Sequence, residues 1–284
     1  MRVSAVLLLA WSLWAQSPGG AGAVFPSDSE AWKSDWAGLL EAVCPGKVVA
    51  GPPGCHEWCP LDSGFGSAAH HYDASLDAVT RGHFLSPTSE DAVLWMTGCE
   101  AHSSNYGGTI LLTKKSGRWS MLLYKVGVQT DQCHRTPLRG GREILVCMAE
   151  YLRQGNVSVV LSTEDLLNHQ PVLGGDDGTF FMAFDNMATC GWNQQDQEKP
   201  FSLVRSGIDR VEFLAKRVNG VPVVSITASF GTKRMSHEDI EVCVREPNSF
   251  LPPTRSYRME FVFNGHGYEP APSSAAVVEM FEGQ

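Results

Sequence analysis

The stretch "AVLWMTGCEAHSSNYGGTILLTKKSGRWSMLLYKV", residues 92–126, decides the fold class. It holds three short apolar runs, at 92–97, 109–114 and 120–126, each rich in β-branched or aromatic residues and set off by Gly, Pro, Asn or Asp. Such runs read as strands. Between the last two, "KKSGR" at 114–118 carries hairpin-turn chemistry, so those two should lie antiparallel. Further runs follow at 143–149, 157–162, 179–184, 210–217, 221–230, 240–246 and 257–264. Turn signals separate several of them, "GGDDGT" at 174–179 and "VNGVP" at 218–222, of which Asn219-Gly220 is the strongest. Helix is confined to 28–44, where Ser29 or Asp28 is placed to cap and Trp32, Trp36, Leu39, Leu40 and Val43 share a face, and to a short turn at 162–169. A parallel α/β sheet has nowhere to put its helices between 90 and 264. The expectation is a mainly β protein of antiparallel sheets, as a sandwich or a partial propeller-like set, with a short N-terminal helix and disulfide stabilisation.

The N-terminus points to export. Met1-Arg2 supplies a positive start, 3–14 an apolar run of secretory length, and Ala15 or Ala21-Gly22-Ala23 the small residues of a cleavage site, after Ala15 or Ala23. The run is shorter than the roughly 20 residues a membrane span needs, and no later apolar stretch approaches that length. Localisation is expected to be periplasmic or extracellular. The remaining ~260 residues of the 284 are enough for a real core, and the 43% hydrophobic content is ordinary. We divide them into β-rich units at 24–170 and 171–284. The formal charge of −9, or −10 without Arg2, and the scatter of Lys and Arg argue against a nucleic acid or an anionic membrane as partner.

Cysteines 44, 55, 59, 99, 133, 147, 190 and 243 make an even count, which in an oxidising compartment reads as four bridges. Cys133 and Cys147 flank the turn-rich "HRTPLRGGRE" and are expected to pair, closing a loop of about 15 residues worth roughly 3 kcal/mol on the chain-entropy view. Cys190 and Cys243 are the pair available to the C-terminal unit. Cys44, Cys55, Cys59 and Cys99 then remain.

One segment, 81–119, carries Gly82-His83-Phe84, then Asp91-Ala-Val-Leu, then Gly107-Gly108-Thr and finally Gly117. In this it resembles an FG-GAP-type blade of the integrin-like β-propellers. Residues 141–162 repeat the strand-gap-strand rhythm, and "VLGGDDGTF" at 172–180 resembles a blade-closing loop. The resemblance implies a partial set of propeller-like blades. The acidic calcium loop such blades carry is here "LSPTSE", so no calcium site is expected at 84–91.

Candidate chemistry is sparse. "CHEWCP" at 55–60 has the Cys-x3-Cys-Pro spacing of the copper-binding motif in thioredoxin-like cytochrome oxidase assembly chaperones, a resemblance that implies Cys55 and Cys59 as soft ligands with His134 or His169 completing the set. The compartment argument reads the same two cysteines as disulfide framework. His70, His71, Asp73 and Asp77 gather imidazole and carboxylate groups suited to zinc or copper, and Asp176-Asp177 reads as a turn. No Gly-x-Ser-x-Gly elbow or P-loop is present. Trp58, Trp95, Trp119, Trp192 and Tyr106 lie in or beside turns, where aromatic rings meet sugars or partner proteins. The leading expectation is an exported, non-catalytic binding or envelope-associated protein without cofactor, whose ligand is a protein or carbohydrate. The alternatives are a secreted copper, zinc or thiol-redox protein using Cys55 and Cys59, and an exported hydrolase whose site residues converge only in the fold.

Overall fold

The computed structural model describes residues 23–31, 33, 36–51, 53–59, 73–98, 107–126, 129–153, 156–166, 178–186, 202–236, 238–239, 242–243 and 252–283. The protein is mainly β, built of antiparallel sheets. The first sheet is a meander in the order β2 (Val48–Ala50), β3 (Pro53–Cys55), β4 (Ala74–Gly82), β5 (Asp91–Thr97), β6 (Gly108–Lys115) and β7 (Arg118–Val126), with β1 (Glu30–Ala31) added alongside β4. Strands β5 and β6 read as continuous apolar runs because both faces of this sheet are covered. On one face Leu76, Val79, Ala92, Leu94, Met96, Ile110 and Leu112 pack under helix α1 (Ala37–Val43) with Trp36, Leu39, Leu40 and Val43. On the other, Phe84, Val93 and Leu111 meet Cys133, Leu145 and Cys147 of the next layer.

That layer is β8 (Cys133–Pro137), β9 (Glu143–Arg153), β10 (Asn156–Glu164) and β11 (Thr179–Asp185), in spatial order β11-β10-β9-β8. Strand β9 is two-faced: Leu145 and Cys147 look to the first sheet, while Ile144, Val146 and Met148 join the largest core. The rest of that core comes from β12 (Ser202–Val218), β13 (Val221–Arg234), β14 (Arg255–Phe263), β15 (Tyr268–Pro270) and helix α2 (Ala275–Glu282). Side chains stitch β11 to β12 where no ladder runs. Asn186 N–H donates to the Val204 carbonyl at 3.1 Å, Val204 N–H donates to Asn186 Oδ1 at 2.7 Å, and Ser206 Oγ bridges the Phe184 backbone. The sheets β11-β10-β9-β8 and β12-β13-β14-β15 thus share this one core. Helix α2 fills it, with Phe281 lying 5.2 Å from Phe181 and 5.0 Å from Phe230. The boundary at 170/171 falls outside the described residues, and this core draws on both sides of it.

Both described hairpin signals form two-residue turns with positive φ at each central residue: Ser116 (51°) and Gly117 (78°), and Asn219 (55°) and Gly220 (85°). This is the geometry that matches strand twist. Gly220→Ala is therefore expected to cost about 1 kcal/mol, through the left-handed backbone an alanine resists, with no change in binding behaviour; urea unfolding checks it. The turn expected at 174–177 and Trp32, expected on the helix, lie outside the described residues.

Two local expectations are corrected. Ser29 and Asp28 do not cap α1, whose N-cap position is Trp36 without a side-chain bond. They belong instead to an N-terminal strap: Val24 pairs with β12, donating to the Asp209 carbonyl at 3.0 Å, Asp28 N–H and carboxylate hold the backbone of Cys133 and Arg135, and Ser29 Oγ bridges Thr80 and the Cys133 amide. The strand expected at 240–246 is helical at its described residues, Val242 and Cys243. The physical reason is readable in "SHED" at 236–239: Asp239 N–H donates to Ser236 Oγ at 3.2 Å while Ser236 N–H donates to Asp239 Oδ2 at 2.9 Å, a reciprocal capping box.

Candidate functional site

In "CHEWCP", Cys55 ends β3 and is bonded to Cys44 at the C-terminus of α1. Cys59 is also disulfide-bonded, to a partner outside the described residues. Both sulfurs are buried in the core under α1. The stretch is a corner of the disulfide framework, and the thiolate pair a copper site requires is not available in it. Its tight turn has other supports. His56 N–H donates to the Lys47 carbonyl at 2.8 Å, Lys47 Nζ donates to the Glu57 carbonyl at 2.7 Å, and Glu57, at φ 46°, donates its N–H to Asp73 Oδ1 at 2.8 Å. Asp73 also holds His56 Nδ1 at 2.8 Å. The Glu57 amide, helped by His56, keeps the Asp73 carboxyl below the usual carboxylate range. Asp73 is a clamp on this loop.

His70, His71 and His169 lie outside the described residues, as do Asp176 and Asp177. His134 is elsewhere, stacked 3.8 Å from Phe213 with Nδ1 between the Pro26 carbonyl and Asp28 at 3.0 Å, and burial pushes its pKa down. Among the described residues no three His, Cys, Asp or Glu side chains come close enough to hold a metal. Cys133 and Cys147 are bonded across β8 and β9. Cys243 is oxidised, and Cys190, its expected partner, lies outside the described residues.

A different constellation emerges on the first sheet. Its face toward β8 and β9 is apolar at one end, but at the other Ala78, Trp95, Thr109 and Lys125 form one cross-strand row over β4, β5, β6 and β7. A bulge in β4 between Leu76 and Ala78 re-aims Asp77 at this row. Thr97 Oγ1 donates to Asp77 Oδ2 at 2.7 Å, and Thr109 and Thr130 hydroxyls meet at 2.9 Å. The 129–132 segment brings Asp131 over the same end. Burial lifts both the Asp77 and the Asp131 carboxyls above the usual range, and the neighbouring Asp77 charge adds to the lift on Asp131. Gly107 leaves room for the indole: a Cβ there would collide with Trp95 Nε1. A half-buried indole beside hydroxyls and two interacting carboxylates is a set able to receive a polyhydroxylated ligand.

The raised carboxyls have a stability signature. Because both favour the proton more when folded, stability falls as pH rises from the ordinary Asp value near 3.9 through the raised folded value, and the cost is complete above it. Asp131→Asn is therefore expected to melt higher than the unsubstituted protein at neutral pH, with the gap closing as pH drops toward about 4. Thermal melts across a pH series check this, and a gap that ignores pH would remove the account by a burial-raised carboxyl.

Sequence reasoning named Asp77 and Trp95 but in other company, and it missed Thr97 and Asp131. Nothing local announces them: the bulge and the 129–132 crossing bring them together across the fold. Trp58 and Trp119 are half-buried beside the core under α1, while Trp192 and Tyr106 lie outside the described residues. No protein-family model matches the chain, no curated protein matches it in sequence, and no solved structure matches its fold.

Proposed function

We propose that the chain is an exported binding module whose ligand site is the Trp95 end of the first sheet, and that the ligand is a carbohydrate. The observation that carries this reading is the break in the sheet's own pattern: one face is apolar and covered around Val93 and Leu111, then turns to Trp95, Thr97, Thr109, Asp77 and Asp131. An aromatic floor with convergent acceptors suits sugar hydroxyls and ring faces. Export is supported by the secretory pattern at 1–23, which lies almost wholly outside the described residues, and by the disulfides at Cys44–Cys55 and Cys133–Cys147. No helix among the described residues is long and apolar enough to cross a membrane.

The test is a titration with a panel of neutral oligosaccharides, followed by indole fluorescence and calorimetry. At least one member should bind saturably, and Trp95→Ala should weaken it at least tenfold while the melt stays cooperative. No saturable binding across the panel, or unaltered binding by Trp95→Ala, would overturn the proposal. A hydrolase is the second reading, favoured by the interacting Asp77 and Asp131 carboxyls. Release of shortened sugars from the bound oligosaccharide, lost in Asp77→Asn and Asp131→Asn, would select it.

A further inference from the structure

We propose that Arg81 is a binding point for an oxyanion group, a carboxylate, sulfate or phosphate, on the opposite face of the first sheet. Arg81 lies on β4 opposite Ala92, whose small side chain leaves its stem room to run across the sheet. Its guanidinium carbon sits 6.0 Å from the Trp36 ring centroid and 5.7 Å from that of Trp119. Lys33 lies 5.8 Å from the Trp36 ring and Lys114 5.5 Å from the Trp119 ring. The sequence along the surface is thus cation, indole, guanidinium, indole, cation.

The two ends of this stack are held in ion pairs and the middle is not, and the Glu30 carboxylate that pairs with Lys33 also feels the Arg81 charge. Lys33 is paired with Glu30, and Lys114 with Glu90 at 2.8 Å. Arg81 is exposed and has no carboxylate at ion-pair distance among the described residues, in a chain with 31 acidic side chains. A guanidinium held between two rings is fixed in plane, and its N–H edge is the part left to present a bidentate fork. Much of the ordering entropy of that fork has been removed before any ligand arrives. Trp36 is 3% exposed, so it anchors the arrangement to the core, while the half-buried Trp119 leaves a ring edge beside the fork for the body of the ligand. The site is separate from the Trp95 row and does not depend on it.

The bland account is that the stack only shields Trp36. The two are separated by titrating the full-length exported protein with sodium sulfate, sodium phosphate or sodium acetate at constant ionic strength held by chloride, with indole fluorescence and melting temperature as readouts. The expected result is a saturable response to at least one oxyanion and a rise in melting temperature over chloride. Arg81→Gln should weaken it at least tenfold. Arg81→Lys, which keeps the charge and most of the stem but loses the planar fork, should weaken it comparably and serves where the glutamine variant does not fold. Sulfate and phosphate acting without acetate would assign a tetrahedral group, and acetate alone a carboxylate. Responses that follow ionic strength alone, or an Arg81→Lys variant that binds as the parent does, would overturn the proposal in favour of shielding.

Discussion

Replacing Phe261 with alanine is expected to lower the unfolding free energy by about 3–5 kcal/mol. Phe261 is fully buried on β14, opposite Val224 of β13 on one side and Pro270 of β15 on the other. Its ring meets Phe180 at 5.3 Å and Phe181 at 5.8 Å, both edge-on, so one side chain ties β14 to β11 across the shared core. Phe181 in turn carries Phe281 of α2. Truncation would remove the transfer term and leave a cavity whose walls are aromatic and held by two sheets, where collapse is hard. Urea unfolding should show a lower midpoint with little change in slope. Phe261→Leu, which keeps most of the volume, should cost less than half as much. A loss under about 1 kcal/mol for the alanine variant would mean that these rings do not hold the two sheets together.

The strands of this protein were legible where burial repeats in the chain. In β5, Ala92, Leu94 and Met96 alternate with Val93 between two covered faces, which leaves an unbroken apolar run. Strand β4 was not legible, because Asp77 interrupts its alternation at the bulge, and β8, "CHRTP", has almost no apolar signal of its own. It is held by the Cys133–Cys147 bond, by pairing to β9 and by the strap at Asp28 and Ser29. The same limit governs the site. Asp77 could be grouped with His70 and His71 because they are neighbours in sequence, but Thr97 and Asp131, which reach it through strand register and a crossing segment, could not be read there. "SHED" is the opposite case: its capping box was present in the letters, and the apolar run behind it outweighed it.

Removing the Cys133–Cys147 bond as a double alanine variant is expected to cost about 3 kcal/mol on the chain-entropy view. The two cysteines are register partners on β8 and β9, with Cα atoms 4.1 Å apart, and both are buried in the cluster that this layer makes with the first sheet. Cys133 is also the point at which the strap attaches, its carbonyl accepting from Asp28 N–H and its amide donating to Ser29 Oγ. Loss of the bond therefore loosens β8, and with it the layer that covers Phe84, Val93 and Leu111. The double serine variant should lose more than the double alanine, because it also buries two hydroxyls in an apolar cluster, at about 1–3 kcal/mol for each left unsatisfied. Cys44–Cys55 is the control. Its sequence separation of 11 against 14 makes the entropic terms nearly equal, but it fastens only the end of α1 to β3. If chain entropy alone governs, the two alanine pairs lose the same stability. If β8 depends on its bond as the contacts imply, the Cys133–Cys147 variant loses more and its strap amides at Asp28 and Cys133 exchange hydrogen faster, whereas the Cys44–Cys55 variant confines faster exchange to α1.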